Sequence, residues 1–204
     1  MPIRNILFAT ALFGAAIAAA GQAPAQTVHR VTDVAANDVL NIRAGASAAT
    51  QIVGFYSPYA VAIEVLRVTP DGRWGFVGLG EGNGWVAMRY LADWPTPAGE
   101  VPRPLRCSGT EPFWNLLMYP RGAEYTEPGM DRRNLNLLSE AVTDTGFEVM
   151  FEEGPTLNRY LTVTRGACGD GMSDREFGWR ATVRTQAPDG DYAATGCCTF
   201  DGNF

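Results

Sequence analysis

The C-terminal stretch Ala194-Thr-Gly-Cys-Cys-Thr-Phe200 contains two of the four cysteines of this 204-residue chain. The other two, Cys107 and Cys168, lie far away in the sequence. Neighbouring side chains of a β-strand point to opposite faces of the sheet, so Cys197 and Cys198 should reach two different partners rather than each other. Two disulfides would then join the beginning, middle and end of a C-terminal domain. Four cysteines allow three connectivities, and counting them does not choose a pairing.

The first 25 residues have the pattern of a secretory signal peptide. Arg4 supplies a positive charge before an apolar run that ends at Ala20, and Ala23-Pro-Ala25 matches the small-x-small cleavage pattern. The apolar run is shorter than the roughly 20 residues that cross a bilayer, so we favour cleavage near Ala25 over a membrane anchor. We therefore expect a mature protein without a membrane span, located in the bacterial periplasm or secreted.

Composition excludes several classes of partner. The chain has 16 Lys and Arg against 22 Asp and Glu, a net charge of −6 that becomes −7 when Arg4 is removed with the signal. Nucleic acids and anionic membranes select basic patches, so neither is expected as a partner. Four cysteines in an exported chain favour disulfides over metal. The alternative, a zinc site, has only the distant His29 and no Cys-x-x-Cys pair. We expect no metal and no cofactor.

Residues 27–92 carry short strand patterns separated by turns. Val39-Leu-Asn-Ile-Arg43 alternates apolar and polar residues, and Asp71-Gly72 is a hairpin signal. Asn41 and Arg43 should point outward, because the apolar residues beside them take the inner face. The pattern predicts a small antiparallel barrel, a fold that closes on itself and exposes no sheet edge.

Four motifs in this segment occur together. They are Val39-Leu-Asn-Ile-Arg-Ala-Gly45, Ile52-Val-Gly54, Gly84-Trp-Val86 and Arg89-Tyr-Leu91. The combination resembles the bacterial SH3 domain over residues 33–92, with Ala46 where the family usually has proline. Members of that family bind cell-wall peptides or glycans, or serve as spacers and partner-binding domains. The resemblance therefore implies a binding module and leaves its ligand open.

Aromatic residues near turns are the candidate ligand contacts of this module. Tyr56 and Tyr59 flank Pro58 in a loop, and Trp74 follows a turn in a mixed strand. Exposed aromatic rings at such positions suit a ligand groove. Trp85 is expected to fill the barrel core instead.

Four prolines between residues 93 and 104 indicate a domain boundary. Proline has no backbone donor and a restricted φ, so this segment is not a central strand. We expect a semi-rigid linker between a first domain at residues 27–92 and a second at residues 105–204.

Residues 105–204 continue the strand pattern. The clearest strand is Phe177-Gly-Trp-Arg-Ala-Thr-Val-Arg184, in which Phe177, Trp179, Ala181 and Val183 should point inward and Arg180, Thr182 and Arg184 outward. About six or seven strands and no helix are predicted here. The whole chain is therefore predicted to be all-β, with an SH3-like small barrel followed by a disulfide-bonded antiparallel sheet or barrel.

Three motifs of the second segment also occur together. They are Cys107-Ser-Gly-Thr-Glu-Pro-Phe-Trp114, Cys168-Gly-Asp-Gly-Met-Ser173 and Gly196-Cys197. The set resembles a domain of uncharacterised exported bacterial proteins and lipoproteins, and it brings no reaction with it. Many members have only the later cysteine pair, which implies that Cys168 bonds Cys197 and leaves Cys107 for Cys198.

Catalytic residues are difficult to assign in this segment. Ser108 has no histidine nearby to act as its base. Acidic residues beside turns could instead supply a pair of the glycosidase kind, and the candidates are Glu111, Asp170, Asp174 and Glu176. Acids at such positions are usually solvated. We interpret Glu111-Pro112 as a corner that places Phe113 and Trp114 in the core, and Met172 as core filler. No catalytic residue is assigned.

These observations predict a non-catalytic exported protein of the cell envelope. Its SH3-like module is expected to bind cell-wall peptide or glycan, or a protein partner. An alternative is a periplasmic inhibitor of a wall hydrolase, comparable to lysozyme inhibitors, which rests on analogy of fold alone. A hydrolase that uses an acid pair is a third hypothesis.

Overall fold

The structure is a computed structural model that describes residues 28–200, so the signal-peptide prediction for residues 1–25 lies outside the described residues. The described chain is all-β. Its first seven strands are β1 (Val28–Val31), β2 (Leu40–Arg43), β3 (Ile52–Tyr56), β4 (Arg67–Val68), β5 (Trp74–Leu79), β6 (Gly82–Ala87) and β7 (Leu91–Trp94), with a short 3-10 helix at Met88–Tyr90. The others are β8 (Leu105–Thr110), β9 (Phe113–Tyr119), β10 (Gly122–Thr126), β11 (Arg133–Val142), β12 (Gly146–Gly154), β13 (Leu157–Cys168), β14 (Phe177–Ala187) and β15 (Gly190–Phe200).

The first seven strands form a small barrel-like unit. Five of them make an antiparallel sheet in the order β3-β2-β6-β5-β4, and β1 pairs with β7 in a two-stranded ribbon. Both sheets contribute to one core, which contains Val31 of the ribbon together with Leu40, Ile42, Val77 and Val86 of the sheet. In β2 the buried residues alternate with half-buried Asn41 and Arg43, so the predicted orientation of this strand is confirmed.

Trp85 does not fill this core, so that prediction is wrong. Val86, next to it in β6, is buried among the core residues, and strand alternation places Trp85 on the other face. Gly84 takes the second inward position, where a Cβ would collide with Ile42. Trp85 is half-buried and packs edge-on against Phe76, with ring centroids 5.0 Å apart.

The last eight strands form a closed antiparallel barrel in which each strand pairs with the next and β15 closes onto β8. In β14 the residues Phe177, Trp179, Ala181 and Val183 are buried, whereas Arg180, Thr182 and Arg184 are exposed, as the sequence predicts. The interior is filled by side chains, and the largest that are fully buried include Trp114, Trp179, Phe151 and Arg159. The barrel interior is therefore a core of buried side chains.

Two disulfides hold the region where the barrel closes. Cys107 bonds Cys198, and these two residues are direct neighbours across the β8–β15 pair and belong to the barrel core. Cys168 bonds Cys197. Cys197 lies opposite Ser108 and Arg180 in the register, on the outer face. Adjacent cysteines thus reach different partners on opposite faces, and the two pairs are those that the resemblance implies.

The proline-containing segment packs against the barrel. Asp93 and Trp94 belong to β7, and Val101 is buried in the barrel core. The Val101 N–H donates to Glu140 Oε2 over 2.9 Å, and Arg103 Nη2 donates to Glu140 Oε1 over 2.6 Å. The part of the segment nearest β8 is therefore anchored to β11.

The first unit covers part of the barrel. Val28 and Ala62 of the first unit belong to the same buried apolar cluster as the barrel interior. The Asn83 side chain donates to the Asp174 carbonyl (2.7 Å) and accepts from the Glu176 N–H (2.8 Å). Within residues 28–200 no helix is long and apolar enough to cross a membrane.

Candidate functional site

The structure separates the three aromatic residues that the sequence marks as ligand contacts. Tyr56 is only 5% exposed and belongs to the core, because it lies opposite the inward-facing Leu40. Its assignment as an exposed aromatic is therefore wrong. Tyr59 is 73% exposed in the turn after β3, and Trp74 is half-buried at the start of β5.

Trp74 lines a groove of about 860 Å³ on the first unit, and Tyr59 is not among the residues that line it. We call it the arginine groove, because Arg43, Arg73 and Arg89 line it together with Trp74 and Tyr90. Two acids, Asp33 and Asp38, complete its charged lining. The sequence does not reveal this cluster. The three arginines come from different parts of the chain and meet because β2 and β5 both pair with β6.

The side chain of each arginine of the groove makes a contact with a neighbouring residue of the first unit. Arg43 Nη1 donates to the Thr50 carbonyl over 2.7 Å, and Arg89 Nη2 donates to the Tyr90 hydroxyl over 3.0 Å. Arg73 Nε pairs with Asp71 Oδ2 at 2.5 Å. A hydrogen bond from the Thr69 hydroxyl and the pairing with Arg73 lower the pKa of Asp71 to about 2. A guanidinium has five N–H donors, so all three retain donors for a ligand.

A second depression, of about 750 Å³, lies on the outer face of the barrel. We call it the motif cleft, because residues of all three motifs of the second segment line it. They are residues 108–113 except Pro112, the loop at 168–172, and Gly196 with Cys197. The Thr110 hydroxyl donates to the Asp170 carbonyl over 3.0 Å and joins the first motif to the second. Segments about sixty and ninety residues apart thus converge on one surface.

Two residues of this cleft were expected in the core. Trp114 is fully buried as predicted, but Phe113 is 50% exposed. Alternation in β9 places only one of these neighbours inside. Met172 is 69% exposed, because it lies in the loop that the Cys168–Cys197 bond holds against the outer face. The interpretations of Phe113 and Met172 as core residues are therefore wrong, and both line the cleft.

Two of the four acids beside the turns, Asp170 and Glu176, are held by partners within the protein. Asp170 accepts hydrogen bonds from the N–H groups of Met172 (3.0 Å) and Ser173 (2.8 Å) and from the Ser173 hydroxyl (2.8 Å). Burial raises the pKa of Asp170, but these bonds outweigh it and hold that pKa below the usual value. Glu176 pairs with Arg67 at 2.5 Å. An acid pair of the glycosidase kind needs one carboxyl whose raised pKa lets it keep its proton. The pKa of Asp170 is shifted in the opposite direction.

A buried charged cluster lies inside the barrel. Arg159 is fully buried, donates to Glu153 and to the Thr185 hydroxyl (2.7 Å), and stacks on the Tyr125 ring at 3.7 Å. The Tyr125 hydroxyl donates to Glu127. Burial lowers the pKa of Arg159, but the Glu153 carboxylate outweighs it and the net shift is upward. The sequence carries a signal for this cluster, because Arg159 occupies the same face of β13 as buried Leu161 and Val163.

Across residues 28–200, no group of three or more His, Cys, Asp and Glu side chains is arranged to hold a metal ion. All four cysteines are in disulfides. No protein family model, no curated protein and no solved structure matches the chain. The arginine groove and the motif cleft are therefore the two candidate functional sites.

Proposed function

We propose that this protein is a non-catalytic component of the bacterial cell envelope, and that its N-terminal unit binds an anionic wall peptide in the arginine groove. The observation that carries the proposal is the clustering of Arg43, Arg73 and Arg89 around Trp74 in one groove. The SH3-like motifs of the same unit, which imply a binding module, support the same assignment.

The chemistry of the groove favours a ligand with carboxylates. Guanidinium groups bind carboxylates with two parallel hydrogen bonds, and the planar fork adds geometric selectivity. Asp33 and Asp38 add acceptors for an ammonium group. The rings of Trp74 and Tyr90 add apolar surface with a polar edge. The cross-linking peptides of the cell wall carry both free carboxylates and ammonium groups, which matches this mixed lining.

The cysteines support the proposed location in the cell envelope. Both disulfides tie distant strands of one barrel, and such structural bonds persist in oxidising compartments. Together with the signal-peptide pattern of residues 1–25, this supports export to the periplasm or beyond.

The test is cosedimentation of the mature chain with purified, protein-free peptidoglycan. Replacing Arg43 or Arg73 with alanine should weaken binding about tenfold or more, because a hydrogen bond to a charged group contributes roughly 1.5 to 3 kcal/mol. Trp74→Ala should weaken binding as well. Arg121→Ala is the matched control, since Arg121 is an exposed arginine in the turn between β9 and β10.

Tyr59→Ala provides a further comparison. Tyr59 is highly exposed but does not line the groove, so its replacement should leave wall binding unchanged. Equal binding by the wild type and by the Arg43, Arg73 and Trp74 variants would refute the assignment of the groove.

A further inference from the structure

We infer that the motif cleft on the barrel is a second binding site, separate from the arginine groove, and that its ligand is an uncharged glycan chain. The two depressions lie on different units, and no residue lines both. The inference therefore does not depend on the function proposed for the first unit.

The floor of the cleft is rich in hydroxyl groups. Ser108, Thr164, Thr182 and Thr195 line it from four different strands, and none of their hydroxyls makes a hydrogen bond to another residue of the described chain. Thr182 and Thr195 are direct neighbours across the β14–β15 pair. A hydroxyl both donates and accepts and rotates to suit its partner, so a row of them complements the hydroxyl groups of a sugar.

The walls supply the other contacts that a sugar ring needs. The half-exposed ring of Phe113 offers a flat apolar surface for the C–H face of a pyranose, and Met172 lies in the wall as a flexible apolar side chain. Arg180 contributes donors and Glu111 contributes acceptors. The charged residues that line the cleft are one arginine, Arg180, and two acids, Glu111 and Asp170, so the cleft does not select an anion. The arginine groove differs because three arginines there face two acids.

The cleft is also rigid. The Cys168–Cys197 bond attaches the loop at 168–173 to β15, and the Thr110 hydroxyl attaches the same loop to β8. The Asp170 carboxylate stabilises the turn by accepting hydrogen bonds from the N–H groups of Met172 and Ser173. A preformed site binds without the entropic cost of ordering a loop. Its volume lies within the range of roughly 300 to 1,000 Å³ that is usual for small-ligand sites.

A glycan fits this surface better than a protein partner does. The centre of a protein interface is apolar and excludes water, with the polar contacts at its rim. The motif cleft has the opposite arrangement, with hydroxyls on the floor and two apolar side chains on the walls.

The probe is a series of soluble β-1,4-linked N-acetylglucosamine oligomers of four to six units, titrated into the mature chain by calorimetry. We expect binding that strengthens with oligomer length. Phe113→Ala should weaken it at least tenfold, whereas Tyr119→Ala should not change it. Tyr119 is also an exposed aromatic residue of β9, but it does not line the cleft.

A second pair of variants tests the hydroxyl floor. Thr182→Val keeps the shape of the side chain and removes its hydroxyl, so it should weaken binding about threefold or more. Thr162→Val is the control, because Thr162 lies opposite Thr182 in the β13–β14 register and is exposed but does not line the cleft. Arg73→Ala in the arginine groove should leave oligomer binding unchanged even where it weakens the binding of whole peptidoglycan.

Three outcomes would overturn the inference. One is no binding of any oligomer by the wild-type chain, which would leave a protein partner as the ligand class for the cleft. Another is equal weakening by Phe113→Ala and Tyr119→Ala, which would indicate nonspecific association. The third is loss of oligomer binding in Arg73→Ala, which would place the sugar in the first unit.

Discussion

Arg159 is a fully buried charged residue whose charge is balanced by neighbouring carboxylates. It is buried inside the barrel, hydrogen-bonded to Glu153, and close to Glu127 at 3.8 Å. Replacing one partner of a buried ion pair costs about 3 to 5 kcal/mol when the remaining charge is left without compensation. Glu153 keeps a second guanidinium partner, Arg133, so a smaller loss applies here. We expect Arg159→Met to lower the free energy of unfolding by about 1.5 to 3 kcal/mol, the range for a lost hydrogen bond to a charged group, as measured by urea denaturation.

The control for this change is Arg184→Met. Arg184 is exposed on the next strand and pairs with Asp191 at 3.1 Å. Exposed ion pairs contribute about 1 kcal/mol or less, so this variant should stay close to the wild type. A similar loss in both variants would show that the buried cluster has no special role in stability.

Glu64 connects the stability of the protein to pH. It lies against the barrel, where the Thr199 hydroxyl donates to its Oε2 over 3.0 Å and Gly178 leaves room for the carboxyl. Arg175 is the nearby cation, and the Trp179 indole N–H faces the carboxyl without forming a hydrogen bond of normal geometry. Burial is the dominant cause that raises the pKa of Glu64 from 4.5 to about 7.

A carboxyl whose pKa is higher in the folded state holds its proton more strongly there. Between pH 4.5 and 7 the folded state therefore binds more protons, and the stability falls as pH rises. The shift corresponds to about 3 kcal/mol at most. We expect Glu64→Gln to remove this decline in urea midpoints measured from pH 4.5 to 8. Burial also lowers the pKa of His29, and this contribution is the same in both proteins, so it cancels in the comparison. Urea midpoints that fall with pH to the same extent in the wild type and in Glu64→Gln would show that Glu64 does not cause the decline.

At the scale of elements, the β12–β13 pair depends on a glycine. A Cβ at Gly146 would overlap the Val163 carbonyl oxygen, which belongs to the backbone of β13 and has no rotamer to move to. Gly146→Ala should lower the free energy of unfolding by about 1 to 3 kcal/mol, the usual range for overpacking. Gly154, at the other end of β12, has no atom within 4 Å of its Cβ position. Gly154→Ala should therefore stay within about 0.5 kcal/mol of the wild type, and equal effects in urea denaturation would refute the role of Gly146.

The elements that the sequence predicts best have one face that is buried throughout. In β14 large apolar residues alternate with polar ones, so only one orientation of the strand buries all the apolar side chains. In β9 the neighbours Phe113 and Trp114 are both large and apolar. Successive side chains of a strand point to opposite faces, so only one of the two can point into the barrel. Gly109, opposite Trp114 in the register, leaves room for its indole ring. That choice depends on the partner strand, which a single stretch of sequence does not contain.

The candidate sites were only partly predictable for the same reason. Trp74 lines the arginine groove, and its role as a ligand contact stays a prediction. The clustered arginines arise from strand pairing and not from a linear motif. The motifs around Cys107 and Cys168 were recognised together, yet their convergence on one outer surface required the closed barrel and its register.

At the scale of the whole molecule, the two units share an interface that the sequence does not reveal. Val28 and Ala62 are buried in the same apolar cluster as the barrel interior. Asn83 holds residues 174–176 by two hydrogen bonds, and Asp174 N–H donates to the Glu81 carbonyl over 2.9 Å. Domains that meet through polar contacts alone usually move independently, whereas an apolar interface couples them.

We therefore expect the oxidised mature chain to unfold in one calorimetric transition. Ala62→Asp places a charge in the apolar cluster, and Asn83→Ala removes the two hydrogen bonds that the Asn83 side chain makes to Asp174 and Glu176. The combined variant should weaken the coupling between the units and show two transitions. Asn136→Ala should keep one transition, because Asn136 is exposed on β11, away from this interface. Two transitions already present in the wild type would show that the proline-containing segment joins independent domains and that the apolar contact does not couple them.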